Sequence, residues 1–535
     1  MMNKKGLIFF LIFLMVLSLG MFLFLDSQKK NGFLAEFKEE VMEIPFEMPA
    51  IPEIKFPKRE CNIKEYGAVG DGETLNTEAF RKAIEDCSKK GGGKVIIPKG
   101  KWLSGAIHLK NNINLYLAEN SELIFTANLK DYLPAVFSRF QGIELYNYSP
   151  PIYAKDCENI AITGKGKIIG NGEEWKKWSD SSDVTKERDM LYKKAAEGIP
   201  VSDRIFANET SGLRPSFVQF INCKNIFING ITIGDGPMWT IHPIYSENIK
   251  ISGIKIDTHS ANTDGIVIDS SKNVIIENSV LSTGDDAIAI KSGLEEDGWK
   301  INIPSENIVV KNCQFTKGHG AVSIGSEMSG GIRNVFVNKN SLAGIESGFR
   351  IKSTMSRGGF IENIWVKDLN VIQAIKEVII FNLVYNSKLE KNELHNPYIK
   401  NIYINNVKAD NSNQALRIES FPGSHIENVI IENLNVKEKK SSYIDNASCI
   451  VFRNIDIQKE NDKVKSKEKD YSIKINDSQN ILLEKFICRN NKSFCVKISG
   501  HKTKNLDLSS STLNPNQISV SADVNENEVI KPTSN

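Results

Sequence analysis

From about residue 94 onward the chain is built of short apolar alternations, and one unit recurs in it: Asn, then Ile or Val, then apolar side chains at every second position. It stands at Asn159-Ile160, Asn225-Ile226, Asn248-Ile249, Asn273-Val274, Asn307-Ile308, Asn334-Val335, Asn363-Ile364, Asn401-Ile402, Asn428-Val429 and Asn480-Ile481. A period of two is the mark of strands with one buried face. Neighbouring copies through the centre lie roughly 23 to 38 residues apart, the range of solenoid repeats. Each unit has room for two or three short strands and shows no helical stripe, which excludes leucine-rich and ankyrin arrays. The pattern predicts an all-β chain folded as a single-stranded right-handed parallel β-helix, a solenoid with Ile, Val and Phe stacked along its axis. The repeated Asn is read as a corner residue that tolerates left-handed backbone or stacks its amide in a ladder.

One early segment breaks this pattern. Asn76 or Thr77 can cap a helix whose apolar face is Ala79, Phe80, Ala83, Ile84 and Cys87. Gly91-Gly92-Gly93 stops it, and Lys94 to Pro98 reads as the first strand. This is a short N-terminal capping helix over an otherwise open solenoid end. Further upstream, Lys4 and Lys5 precede an uncharged run from Leu7 to Leu25, long enough to cross a bilayer core of about 30 Å. The run serves either as a retained membrane anchor or, with Ser18-Leu19-Gly20 as cleavage site, as a signal peptide. Both readings place the rest outside the cytoplasmic membrane, secreted or attached to its outer face. The expected layout is 1–26 signal or anchor, 27–57 a Pro-spaced linker, and 58–535 the β-helix.

Composition narrows the partners. A net charge of +2 over 535 residues offers no basic field for nucleic acid. Eight cysteines include no Cys-x-x-Cys, so a zinc site is not expected. Cys488 and Cys495 are placed to pair across a tight bend; the rest read as mostly buried thiols.

The chemistry sits in four central segments: Asn262-Thr263-Asp264-Gly265, Gly284-Asp285-Asp286, Gly318-His319-Gly320 and Arg350-Ile351-Lys352. Taken singly, each is an ordinary turn or a solvated strand face. Taken together, each adjoins or includes a β-branched run, and stacking those runs puts Asp264 over Asp286 and Asp285 over His319. Coils pair at about 4.8 Å, so three carboxylates, an imidazole and two cations converge. Asp264 and Asp286 can then hold a water while Asp285 faces the glycosidic oxygen, the two functions glycoside hydrolysis requires. Arg350 and Lys352 share a face as residues i and i+2. Two cations beside this site suit a carboxylated sugar, which Arg grips bidentately and Lys meets as a point charge.

With these four motifs in this order, residues 58–440 resemble glycoside hydrolase family 28, the polygalacturonases and related pectinases. Tyr66-Gly67-Ala68-Val69-Gly70-Asp71-Gly72 and Trp239-Thr240-Ile241-His242-Pro243 belong to the same resemblance. It implies Asp285 as general acid, Asp264 and Asp286 activating water, and His319 supporting the proton state of the acid. It also implies Asn262, Arg350 and Lys352 binding the galacturonate, inversion at the anomeric carbon, and no metal or other cofactor. The expected substrates are polygalacturonate and pectin oligosaccharides, the expected state a monomer. Ala287 stands where many relatives carry Cys, and beyond residue 440 the resemblance fades. Tyr146 to Pro150, Gly293 to Trp299 and Gly325 to Gly331 look like bacterial exo-acting members. The long excursion 171–215, with Trp175 and Trp178, is expected to wall the cleft. Endo-polygalacturonase and rhamnogalacturonan hydrolase are the near alternatives. A calcium-dependent pectate lyase and a non-catalytic β-helical surface binder are the distant ones.

Overall fold

The computed structural model describes residues 44–385, 395–459, 471–489 and 494–533. The Leu7–Leu25 run lies outside these, and among the described residues no helix is long and apolar enough to cross a membrane. The described strands form one 36-stranded sheet, coil stacked on coil, and a separate two-stranded hairpin, Val136–Phe140 with Ile143–Asn147. Every pairing in the large sheet is parallel and keeps side chains of the same kind in line: Ile226 over Ile249, Ile249 over Val274, Val274 over Ile308. One apolar cluster therefore runs continuously from Cys61 to Val529. This is a parallel β-helix. Its core forms by stacking each coil on the next, since no coil closes a core alone.

The asparagine corner is a hydrogen-bonded ladder. Each Nδ2 donates to the Oδ1 one coil below, from Asn159 on Asn112 up to Asn428 on Asn401, at 2.8–3.1 Å. All of these residues have φ between +53° and +58°. Asn is suited to the corner because its short amide tolerates left-handed backbone at little cost and carries both a donor and an acceptor. The ladder breaks at one rung. Register places Cys449 above Asn428 and below Asn480, at φ +58°. Asn428 Oδ1 is buried there with no hydrogen-bond partner.

At the N-terminal end, helix α1 (Thr77–Lys89) buries all five residues of the expected face and caps the core. Asn76 is its N-cap residue, its carbonyl accepting from Phe80 N–H, but its side chain bonds Val69, Thr74 and Leu103 rather than the helix. The first strands come earlier than expected: Glu60–Asn62 pairs with Gly93–Ile97, and Asp71–Leu75 with Gly100–Ser104. Both are short and polar, so no period marks them. Phe46, within the Pro-spaced stretch, already lies on the coils, its ring 5.9 Å from Trp365. At the other end, strands continue in register to Val529–Ile530. Cys488 and Cys495 form a disulfide, and five of the other six cysteines are buried thiols.

The excursion at 171–215 folds as two helices, α2 (Gly172–Ser181) and α3 (Val184–Ala196), and that at 293–306 holds α4 (Glu295–Ile301). Buried ion pairs fasten these additions. Arg139 of the hairpin reaches Asp269 at 3.0 Å, and Arg204 reaches Asp297 at 2.6 Å. Trp175 does not wall the cleft as expected: it is buried with Tyr132 and Tyr148 in a separate cluster, with Trp178 packed against it.

Candidate active site

Five successive strands of one face carry the site: β1 (Ile241–Ile244), β2 (Ile266–Asp269), β3 (Ile288–Lys291), β4 (Gly320–Ile324) and β5 (Ser347–Lys352). Register pairs Ile266 with Ile288, Ile288 with Val322 and Val322 with Phe349. The turns entering these strands then stack as well. Gly265 N–H donates to Asp286 O at 2.9 Å, and His319 N–H to Asp285 O at 2.9 Å. Asp264 thus lies over Asp286 and Asp285 over His319, the columns read from the sequence. The three carboxylates offer oxygens within 4.8 Å of one another. Such a cluster has the donor chemistry of a cation site, but lysine and arginine supply the positive charge here.

Gly320 explains part of the Gly-His-Gly motif. A Cβ there would lie 2.5 Å from Arg350 Cδ and 2.9 Å from Asp286 Oδ1. Only glycine lets the arginine pass over this coil to reach the aspartate.

The carboxylates differ in environment. Asp286 is fully buried and doubly paired, accepting from Arg350 Nη1 at 3.0 Å and Lys352 Nζ at 2.6 Å. Burial alone would raise its pKa; Lys352 and then Arg350 overcome that and hold it well below the carboxylate range. Asp264 is buried too, but no ion pair offsets the burial. Desolvation first, and the nearby Asp285 charge second, push its pKa well above normal. One column therefore contains two carboxyls whose proton affinities are pushed in opposite directions, Asp286 down and Asp264 up. Asp285 is only partly covered. Its Oδ1 meets His319 Nδ1 at 3.0 Å and accepts from Asp286 N–H at 2.9 Å. The hydrogen bond to Asp285, outweighing partial burial, raises the pKa of His319.

Arg350 and Lys352, expected to face the sugar, are both turned onto Asp286. Asn262 sits in left-handed backbone at φ +59° and borders the cavity, its Oδ1 3.4 Å from Arg214 Nη2. That cavity, of about 720 Å³, also touches Asp264, Asp285 and Lys352.

Sequence reasoning missed Lys291 and Glu327. Lys291 is buried at the end of β3, donating to Glu327 at 2.5 Å, with its Nζ 4.8 Å from the centre of the Trp239 ring. Burial opposes its charge, but Glu327 and Asp264 raise its pKa regardless. A signal existed: Lys291 occupies, two coils earlier, the strand position that marked Lys352. The excursion 171–215 does wall the cavity, as expected, through Arg188, Tyr192 and Lys193 of α3; that this wall is a helix was missed because a long excursion between strands reads as a loop.

Comparison with known proteins identifies the family of the chain. Residues 87–451 match the model of Glycosyl hydrolases family 28. A probable polygalacturonase of Vitis vinifera is 30% identical over 390 residues, 70% of this chain and 74% of that protein. An exo-poly-alpha-D-galacturonosidase of Dickeya chrysanthemi is 31% identical over 348 residues, 61% of this chain and 57% of that protein. Among solved structures, a hyperthermoactive exopolygalacturonase from Thermotoga maritima superposes with a TM-score of 0.71. It is 35% identical and covers 83% of this chain and 94% of its own.

Proposed function

This chain belongs to glycosyl hydrolase family 28, and on that premise we propose that it is an exo-acting polygalacturonase, hydrolysing α-1,4-galacturonosyl linkages from chain ends with inversion. The observation that carries the reading is the set of three neighbouring carboxylates in three environments, Asp264 and Asp285 bordering one cavity and Asp286 buried beside them. Asp285, reachable from solvent and hydrogen-bonded to His319, is the group able to meet a glycosidic oxygen and protonate it. Asp286, held ionised by Arg350 and Lys352, is the base. Asp264, one coil away and with its proton affinity raised by burial and by Asp285, completes the water site.

Distance alone does not decide the stereochemistry. Oxygens within 4.8 Å are closer than the roughly 6.5–9.5 Å between carboxyl groups of usual inverting pairs and nearer the roughly 5–5.5 Å of retaining ones. Access favours inversion. Asp264 and Asp286 are buried, and both oxygens of Asp286 are engaged. Neither offers room for an anomeric carbon, whereas Asp264 still borders the cavity, where a water can be held, so water is the nucleophile in this reading.

The exo reading rests on the walls from α3 and α4, which narrow the cavity, and on the exo-acting relatives. Exported placement rests on the N-terminal apolar run, through either a signal or an anchor. The test is incubation of the purified protein with polygalacturonate. Reducing ends should appear together with a single short product of constant size. A spread of intermediate oligomers would replace exo by endo action. A product absorbing as an unsaturated uronide would replace hydrolysis by elimination.

A further inference from the structure

Arg350 and Lys352 are gathered at Asp286, and Lys291 is paired with Glu327. A galacturonate chain carries one carboxylate per ring, so rings beyond the one beside Asp286 call for a further cation. Arg357 fits that need. It follows β5 by five residues, is only 9% exposed, and borders the same cavity as Asp264 and Asp285. Its guanidinium makes no hydrogen bond among the described residues, and its Nε is buried without a partner. Its ion pair is a long one, 3.9 Å from Nη1 to Glu295 Oε1, and that oxygen also accepts from Ser356 Oγ. Glu327 feels the charge of Arg357 but is bonded to Lys291.

The backbone of Arg357 is firmly held. Its carbonyl accepts from Trp299 Nε1 at 3.0 Å and Ser329 Oγ at 2.7 Å, and its N–H donates to Thr354 O at 3.0 Å. A rigidly mounted, desolvated guanidinium with unused donors is costly unless an anion meets it. Its planar fork matches a carboxylate bidentately. Helix α3 lines the same cavity, and its Tyr192, bonded to Gln141 at 2.9 Å, lies within reach of the charges of both Arg188 and Arg357.

We propose that Arg357 binds the carboxylate of the terminal galacturonate at the walled end of the cavity and makes the enzyme specific for an acidic chain end. This rests on the chain-end reading above. Its test uses trigalacturonates in which one ring at a time is replaced by galactose, with kcat/KM measured for the parent, Arg357→Met and Arg357→Lys. The parent should discriminate at least tenfold against galactose at the terminal position. Arg357→Met should lose that discrimination, the ratio falling to about one, and Arg357→Lys should keep part of it. Circular dichroism and thermal midpoints establish that both variants are folded. Parent-like discrimination at every position in folded Arg357→Met overturns the proposal, and loss at an inner position alone overturns the terminal assignment. Failure of the chain-end reading shows separately, as mixed oligomers released by the parent from polygalacturonate.

Discussion

Replacing Cys449 with Asn should repair the asparagine ladder, and the structure sets the size of the effect. Cys449 holds left-handed backbone at φ +58°, where an ordinary L residue is disfavoured by roughly 1–2 kcal/mol and Asn by less. Its Sγ meets Asn480 Nδ2 at 3.8 Å, a weak contact, and offers Asn428 Oδ1 nothing. An unsatisfied buried acceptor costs about 1–3 kcal/mol, and a typical neutral hydrogen bond contributes about 0.5–1.5 kcal/mol net. Asn at 449 would supply the missing donor below and a proper acceptor above. Set against the lost burial of a half-covered thiol, a net gain of about 2 kcal/mol is expected. Solenoid stability is a sum of coil and neighbour terms, so the gain should be local. Amide exchange in Ser448–Lys459 and Gln479–Arg489 should slow by about 30-fold under conditions of sub-global opening. Asn273→Cys, made inside the unbroken ladder, should have the opposite effect on its own coils. Unchanged or faster exchange around Cys449→Asn would show that the ladder follows from the corner geometry without stabilising it.

The other predictions concern the site. Asp285→Asn should lose activity on polygalacturonate by orders of magnitude yet retain much more on an aryl galacturonide whose leaving group needs no proton. Asp286→Asn should be inactive on both, and equal losses for the two variants would remove the acid–base distinction. The alkaline limb of kcat/KM should lie above the ordinary histidine range of about 6.5, and His319→Gln should move it to lower pH. The stability supplied by the His319–Asp285 contact is complete below that ordinary value and lost as pH rises through the raised one; a limb unmoved in His319→Gln would detach His319 from the proton of Asp285. Arg350→Gln should move the acidic limb to higher pH, because Asp286 works ionised and loses a cation that depresses its pKa. An unmoved acidic limb would mean that Asp286 is not the group titrating there.

The fold was legible because a solenoid repeats its instructions. The Asn-Ile units fixed both the strand period and the coil spacing, and the columns Asp264–Asp286 and Asp285–His319 followed from counting. What counting could not show was where the long cations point. Arg350 and Lys352 bend back to Asp286, for Arg350 a choice made possible by the missing side chain at Gly320, and for both invisible in strand register. Helices α2 and α3 went unread because the length of their excursion and its tryptophans suggest a cleft wall, whereas the tryptophans serve a buried aromatic cluster. Cys449 looked like one more buried thiol. Only the ladder around it shows that it occupies an asparagine's place.

The central claim is that a chain end is cut by water activated at buried carboxylates, with Asp285 as the acid. Proton NMR of the first product released from polygalacturonate tests it most directly. One short product should appear from the first turnover as the β-anomer, equilibrating to the α-anomer only with time. Initial release of the α-anomer would mean a covalent intermediate, and neither Asp286 as base nor its activated water would survive that result.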